Sequence, residues 1–229
     1  MRTQSSYSSS ASLLKGSAQD CFGSRLELQL VLPNESKACR LWSDICKELS
    51  RIDKVFNSDN PASEVAVLNG SKMEIEPSEE LKDALNLCEA YLIKTKKIFN
   101  IDKDGKLDFG GFIKGYAMQK IAKLILAAKV KDAFVNFGGS IIWAIGKQPY
   151  CPNWCFTLEN PETEDEIAFF ELGNEVIAIS HDDSRYCCIR GKDPLECKIL
   201  SLAYLQASPS QRMDMGYNFK GVEPQYFDL

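Results

Sequence analysis

The sequence predicts an α+β fold, in which strands form a mixed or antiparallel sheet and helices pack against it. Residues 36–56 and 112–126 place apolar side chains at helical spacing. Residues 26–32 and 154–159 instead alternate apolar and polar side chains, as half-buried strands do. The 229 residues are 45% hydrophobic, which is enough to bury one sizeable core. These observations indicate a single globular domain.

Both ends of the chain are expected to lie outside that domain. Residues 1–20 are rich in serine, and the apolar pair Leu13-Leu14 is too short for the hydrophobic region of a signal peptide. We therefore expect a flexible N-terminal tail at 1–20, a domain at 21–207 and a C-terminal tail at 208–229.

Charge and cysteine content exclude several classes of protein. The net charge is -5, and the 27 basic and 32 acidic residues are interspersed, so no basic block favours nucleic acid. An apolar run of about 18 residues is absent from the sequence, which argues against a membrane span. Nine cysteines at irregular spacing and a single histidine make a zinc site at Cys151 and Cys155 improbable. Free thiols in this number favour a reducing compartment, such as the cytoplasm.

The first half of the chain shows clear helix starts. The helix predicted at 36–56 is followed by a turn-forming cluster at 57–61. Ser63 is suited to cap a short helix, with Glu64 near the positive end of the helix dipole. Ser78 is suited to cap a further helix that continues to Lys97.

The stretch from Leu107 to Gly146 is the part of the sequence around which the rest of the chain is interpreted. It contains two Gly-Gly pairs joined by a long helical pattern and a short strand pattern, and Lys114 follows the first pair. Glycine is used where the backbone approaches another group closely or adopts positive φ. The spacing suggests two walls of one pocket with Lys114 between them. A helix with a tight turn at each end is the alternative interpretation.

Further strand patterns follow Gly146, at 154–159, 167–172 and 176–179. The only histidine, His181, comes directly after the last of these, and we expect it in a loop.

The central stretch carries a family resemblance. DFGGFIKGYAMQK followed by VNFGGSI resembles the DLGGIAKGYAVD…VNAGGDI pattern of the ApbE family, the FAD:protein FMN transferases. The matching residues are Asp108, Gly110, Gly111, Lys114, Gly115, Tyr116, Ala117, Asn136, Gly138 and Gly139. Weaker similarities include Phe56, Ser63, Glu64, Leu68, Asn69, Thr95, Phe99, Ser180, Asp182, Arg185 and Tyr186. The resemblance implies an ApbE-like fold.

The resemblance also implies a reaction. Family members split FAD at its pyrophosphate, pass the FMN half to a Thr or Ser hydroxyl of a partner flavoprotein and release AMP. It therefore implies FAD as a ligand, an acceptor flavoprotein as a partner and Mg²⁺ as a metal. The flavin-site positions that it implies are Phe22, Ile98, Phe99, Asn100, Asp108, Gly110, Lys114, Asn136, Gly138 and Gly139. Phe22 replaces a family Met, and we leave open whether its ring stacks on the flavin or packs in the core.

The sequence departs from the family where the chemistry is expected. Lys198 lies at the position of the family's catalytic His, and Ser201 lies at the position of an Asp. The family takes one metal ligand from the carbonyl of Gly111, but no carboxylate in a matching context follows, and such a site would bind Mg²⁺ weakly. As the candidate catalytic residue, Lys198 could replace part of the metal's charge beside Lys114.

Three hypotheses remain open at this stage. The first is a transferase-like enzyme that uses FAD and Mg²⁺. The second is a shortened, non-catalytic member that binds a flavin or a protein partner. The third is a domain that has lost the flavin site and serves only in a complex.

Overall fold

The computed structural model describes residues 1–71, 76–160 and 162–228. The helices of this part are α1 (Glu35–Phe56), α2 (Glu64–Gly70), α3 (Glu79–Lys94), α4 (Gly110–Ala127), α5 (Pro194–Gln206) and α6 (Pro209–Gly216). Its strands are β1 (Arg2–Ser8), β2 (Leu13–Cys21), β3 (Ser24–Val31), β4 (Asp102–Lys103), β5 (Lys106–Leu107), β6 (Ala133–Phe137), β7 (Ile141–Ile145), β8 (Trp154–Glu159), β9 (Glu166–Leu172), β10 (Glu175–His181), β11 (Arg185–Gly191) and β12 (Gln225–Asp228). None of the described helices combines the length and apolar character needed to cross a membrane.

Eight strands form the main sheet, in the order β1-β2-β3-β6-β7-β10-β11-β12. Every pairing in it is antiparallel. β4–β5 and β8–β9 are separate two-stranded ribbons. The predicted α+β fold, with a sheet and packed helices, is therefore confirmed.

Helices cover one face of the sheet, because α1 and α4 each bury an apolar side. Trp42 of α1 lies over Gly16 of β2, where an added Cβ would come within 2.9 Å of the indole. Each large apolar side chain buried in this layer contributes about 2 kcal/mol. At the α4–α5 contact, a Cβ on Gly115 would lie 2.9 Å from Cβ of Lys198. Gly16 therefore allows α1 to approach β2 closely, and Gly115 allows α4 to approach α5 closely.

The β8–β9 ribbon covers part of the opposite face. Trp154 of β8 is buried there, stacks on Phe134 of β6 at 5.5 Å and donates its indole N–H to the carbonyl of Ile145 at 3.0 Å. This second apolar cluster lies over β7, β10 and β11. The back of β1–β3 lies beside the cluster and forms a groove.

The expectation of a flexible N-terminal tail is wrong at the level of secondary structure. Residues 2–8 and 13–21 form β1 and β2. Leu14 and Ala18 are fully buried under the helices, and the Tyr7 hydroxyl donates to the carbonyl of Leu32 at 2.7 Å. The serine content concealed this strand because only every second residue of β2 faces the core.

The C-terminal tail is likewise structured. Residues 209–216 form α6, whose cap Ser208 and Gln211 satisfy each other's backbone N–H groups. β12 then pairs with β11, and the Tyr226 hydroxyl donates to the carbonyl of Tyr204 at 3.0 Å. His181, expected in a loop, is the exposed last residue of β10.

Candidate functional site

Two clefts meet at the N-terminus of α4. The larger, of about 330 Å³, is lined by Phe22, Phe56, Asn57, Ser58, Asp59, Asp108, Gly110, Ile113 and Lys114. The smaller, of about 200 Å³, is lined by Ile98, Phe99, Asn100, Lys103, Asp108, Gly111, Leu202 and Gln206. Asp108 lines both clefts, which therefore adjoin. Most of the residues predicted for a flavin site are brought together here.

Among the described residues, the first turn of α4 leaves only the N–H of Gly111 for a ligand, because those of Phe112 and Ile113 donate to the carbonyl of Phe109 at 2.8 Å. Phe109 occupies the N-cap position and makes no side-chain hydrogen bond to the helix. Asp108 accepts a hydrogen bond from the N–H of Gly110 at 2.8 Å. The helix dipole also favours an anion at this end.

Lys114 supplies a cation in the larger cleft. Among the described residues, its ammonium group has no hydrogen-bond or ion-pair partner, although the side chain is only partly exposed. Burial lowers the pKa of Lys114. A partly desolvated amine without an internal partner is available to an external anion.

Phe22 takes part in both the core and the cleft. Its backbone has φ of 49°, an uncommon value for a residue with a side chain. Its ring packs on Phe137 with the centroids 5.7 Å apart and also lines the larger cleft. The two interpretations of Phe22 are therefore compatible.

The second glycine turn shapes the site from behind. Gly138 and Gly139 have φ of 57° and 65°, and a Cβ on Gly138 would lie 1.8 Å from Oγ of Ser24. Asn136 accepts a hydrogen bond from the N–H of Gly139 at 2.9 Å. These three predicted site residues line neither of the two clefts; instead, their turn packs against the β2–β3 turn that carries Phe22.

Asn69 is a positioning residue whose role the sequence did not reveal. Its amide donates to the carbonyl of Leu107 and accepts from the N–H of Leu107, both at 2.8 Å. This paired contact fixes the backbone directly before Asp108. Asn69 matched the family pattern, but nothing in the sequence indicates its partner.

Thr95 positions the smaller cleft in a similar way. Its side chain is fully buried, donates to the carbonyl of Tyr91 at 2.7 Å and accepts from the N–H of Phe99 at 3.1 Å. Thr95 therefore holds the Ile98–Asn100 segment against the end of α3.

Lys198 lies in a closed hydrogen-bond network within the core. The side chain is buried, and its amine donates to the carbonyl of Ile179 at 2.8 Å and to Oγ of Ser180 at 3.0 Å. Ser180 also shares a hydrogen bond with Ser201 at 2.8 Å, and Ser201 donates to the carbonyl of Lys198 at 2.9 Å. Burial, and then the charge of Lys114, lower the pKa of Lys198 to about 7.

This placement argues against the predicted catalytic role of Lys198. The residue lines neither cleft at the start of α4, and its amine is already engaged by Ile179 and Ser180. A catalytic group must reach the reacting atoms. The sequence placed Lys198 near the chemistry by alignment, but the fold turns its side chain into the core.

The predicted metal site is not supported by the donors present. Within residues 1–71, 76–160 and 162–228, no group of three or more His, Cys, Asp or Glu side chains could hold a metal ion. Gly111 lies in the first turn of α4, and a Cβ there would come within 2.7 Å of Leu202. Mg²⁺ needs several oxygen ligands in octahedral geometry, and the residues beside Gly111 do not fit it.

Comparisons with known proteins agree with the resemblance. Residues 101–196 match the sequence model of the ApbE family. Flavin transferase ApbE from Vibrio cholerae is similar in structure, with a TM-score of 0.77, 12% identity and 97% of each chain covered. The apo flavinyl transferase ApbE of Pseudomonas stutzeri has a TM-score of 0.73 and 14% identity, covering 99% of this chain and 91% of that one.

A third structure, the ApbE protein of Thermotoga maritima, has a TM-score of 0.73 and 16% identity, with 96% of this chain and 93% of that chain covered. No curated protein sequence matches the chain. At these identities the structural likeness establishes the fold alone. The matched segment contains Asp108, the first glycine pair and Lys114, so this part of the chain is similar in sequence to the ApbE family.

Proposed function

We propose that this protein binds FAD in the two adjoining clefts at the N-terminus of α4. One observation carries the proposal: Lys114 is a partly buried cation without a partner in the described structure, in the cleft where α4 begins. A lysine beside a helix N-terminus forms a binding site for phosphate groups. FAD carries two phosphates and an apolar ring system, which suits a cleft that also contains Phe22.

Each residue has a role in this proposal. Lys114 and the N–H of Gly111 would bind the pyrophosphate, while the ring of Phe22 would contact the isoalloxazine. Asp59 and Asp108 also line the larger cleft, and their carboxylates would repel phosphate. We therefore assign them to hydroxyl and N–H donors of the flavin half. When bound, FAD itself would supply the pyrophosphate that Lys114 contacts and the isoalloxazine ring that Phe22 contacts.

A fluorescence titration tests the binding step. Flavin emission should be quenched saturably when the protein is added to FAD, and Lys114→Ala should weaken the binding. Lys123→Ala is the matched control, because Lys123 is an exposed lysine on the same helix. Equal affinities for the Lys114 and Lys123 variants, or no saturable quenching by the parent protein, would rule the proposal out.

FMN transfer is the second candidate, favoured by the similarity of residues 101–196 to the ApbE family. In this reaction a Thr or Ser hydroxyl oxygen of an acceptor flavoprotein attacks the FMN phosphorus. The phosphoanhydride bond breaks, AMP leaves and the hydroxyl proton passes to solvent. Lys198 is enclosed in the core and is not positioned as the base.

Product analysis distinguishes the two candidates. The protein is incubated with FAD, Mg²⁺ and a threonine-containing acceptor peptide. AMP together with flavinylated peptide would establish transfer. Saturable FAD binding with intact FAD recovered would instead establish a flavin-binding member without transferase activity.

We also propose that the protein works in a reducing compartment. All nine cysteines are free, and five of them are buried. Burial raises the pKa of the Cys88 and Cys188 thiols to about 12, so that they stay protonated and unreactive. Unchanged electrophoretic mobility of the protein from cells lysed under thiol-blocking conditions, with and without reductant, would support this.

A further inference from the structure

A groove of about 470 Å³ lies on the face of the sheet opposite the helices, over β1, β2 and β3. Two cross-strand rows form its floor, since directly paired residues of an antiparallel sheet share a face. One row contains Ser6, Lys15, Gln29 and Phe134, and the other contains Gln4, Ser17 and Glu27. The groove is therefore distinct from the clefts at α4.

The groove is built by the strands themselves. The β2–β3 register shifts between Ala18 and Cys21, and such a bulge bends a strand and increases its twist. At its other side, Phe134 borders the groove and stacks on Trp154 of the β8–β9 ribbon. A volume of this size falls within the range of small-molecule sites.

Polar side chains in the groove have unused hydrogen-bonding capacity. Gln4, Ser6, Lys15 and Gln29 form no side-chain hydrogen bond or ion pair with any residue of the described part of the chain. Ser17 is only 6% exposed, and its buried hydroxyl oxygen also has no partner there. Because this oxygen is sealed from solvent, a ligand in the groove does not reach it.

The charges of the groove favour an anion. Arg25 and Glu27 form an ion pair at 2.7 Å and neutralise each other. Lys15 has no such partner, which leaves the groove with one excess positive charge. The ammonium of a lysine binds phosphate as a compact point charge.

We propose that this groove binds a small phosphorylated sugar. Lys15 would hold the phosphate, and the amides of Gln4 and Gln29 would bond the sugar hydroxyls as donors and acceptors. The C–H face of the sugar would rest on the exposed part of the Phe134 ring.

Isothermal titration of the whole chain with ribose 5-phosphate tests this proposal, with ribose and inorganic phosphate as comparison probes. We expect saturable binding of ribose 5-phosphate at millimolar or lower concentration, at least tenfold weaker binding of each comparison probe and no competition by FAD. Lys15→Ala should weaken binding at least tenfold, whereas Lys123→Ala should leave it unchanged.

Ser17→Ala is a second control, because the Ser17 hydroxyl is enclosed beneath the groove. Removing this unpartnered hydroxyl should raise the melting temperature of the free protein and leave the binding of ribose 5-phosphate unchanged. Equal binding of the sugar phosphate by the parent and Lys15→Ala proteins would overturn the proposal. Equal affinity for inorganic phosphate, or displacement by FAD, would also overturn it.

Discussion

Two lysines on neighbouring helices, Lys114 on α4 and Lys198 on α5, illustrate opposite uses of the same side chain. Burial lowers the pKa of both. Lys114 lines a cleft and has no hydrogen-bond partner among the described residues, whereas the amine of Lys198 donates to Ile179 and Ser180 inside the core. The difference teaches that alignment with a catalytic position does not ensure access to a substrate.

The comparison predicts that stability depends on Lys198 and ligand affinity on Lys114. Lys198→Ala should cost about 3 kcal/mol of unfolding free energy, because it leaves a cavity and removes a donor from two buried acceptors. Lys198→Met keeps most of the volume and should cost less. Urea denaturation measures both changes.

The folded Lys198→Met protein should bind FAD as the parent does. A large loss of FAD affinity in that variant, without loss of stability, would show that Lys198 reaches the ligand after all.

Asn69 combines the roles of Lys198 and Lys114. It stabilises the fold through its hydrogen bonds to Leu107, and it supports the backbone next to Asp108 in the proposed FAD site. Asn69→Ala should cost about 2 kcal/mol of stability, because both backbone groups of Leu107 lose their partner. FAD affinity should fall several-fold as Asp108 loses its support. Asn153→Ala removes one exposed side-chain hydrogen bond and serves as the control for denaturation and titration.

Lys198 should also give stability a distinctive pH dependence. The pKa is about 7 in the folded chain against an ordinary 10.5, so the folded state holds fewer protons than the unfolded state between these values. Stability should therefore rise with pH from about 7, by up to about 1.4 kcal/mol per pH unit, and level off above the unfolded pKa.

The difference in unfolding free energy between the parent and Lys198→Met isolates this effect, because buried thiols contribute equally to both proteins. A difference that stays constant as the pH rises above 7 would mean that Lys198 keeps its ordinary pKa.

Lys114→Ala should weaken FAD binding about tenfold, equivalent to about 1.4 kcal/mol, through the loss of one charge-assisted contact. Its melting temperature should stay close to that of the parent, since the ammonium has no described internal partner. Lys114→Arg should retain part of the affinity. A strong fall in melting temperature on Lys114→Ala would show that the Lys114 side chain, like that of Lys198, stabilises the fold.

The sequence predicted most of the helices and strands in which the spacing of apolar residues and the residues at the ends indicate the same element. Ser63 and Ser78 do cap helices, and the helix after the first glycine pair begins at Gly110. The spacing of the two glycine pairs also pointed to Lys114, and the family resemblance implied Asp108, which lines both clefts. These predictions depend on neighbours in sequence.

The missed features depend on distant partners. β1 is polar and mostly exposed, so its residues show no alternation that would distinguish a strand from a serine-rich tail. Ser180 and Ser201 are separated by 20 residues on either side of a turn and a helix start, and only the α5–sheet contact unites them around Lys198. A pattern of residue types does not contain such contacts.

β1 and β12 are the two outermost strands of the main sheet. Seven strand spacings of about 4.8 Å separate them by on the order of 30 Å. Antiparallel hydrogen bonds run across the strands, in the direction that joins these edges. A force that pulls β1 and β12 apart would therefore separate the strands one after another. This separation would occur at low force, before the force reached the helices.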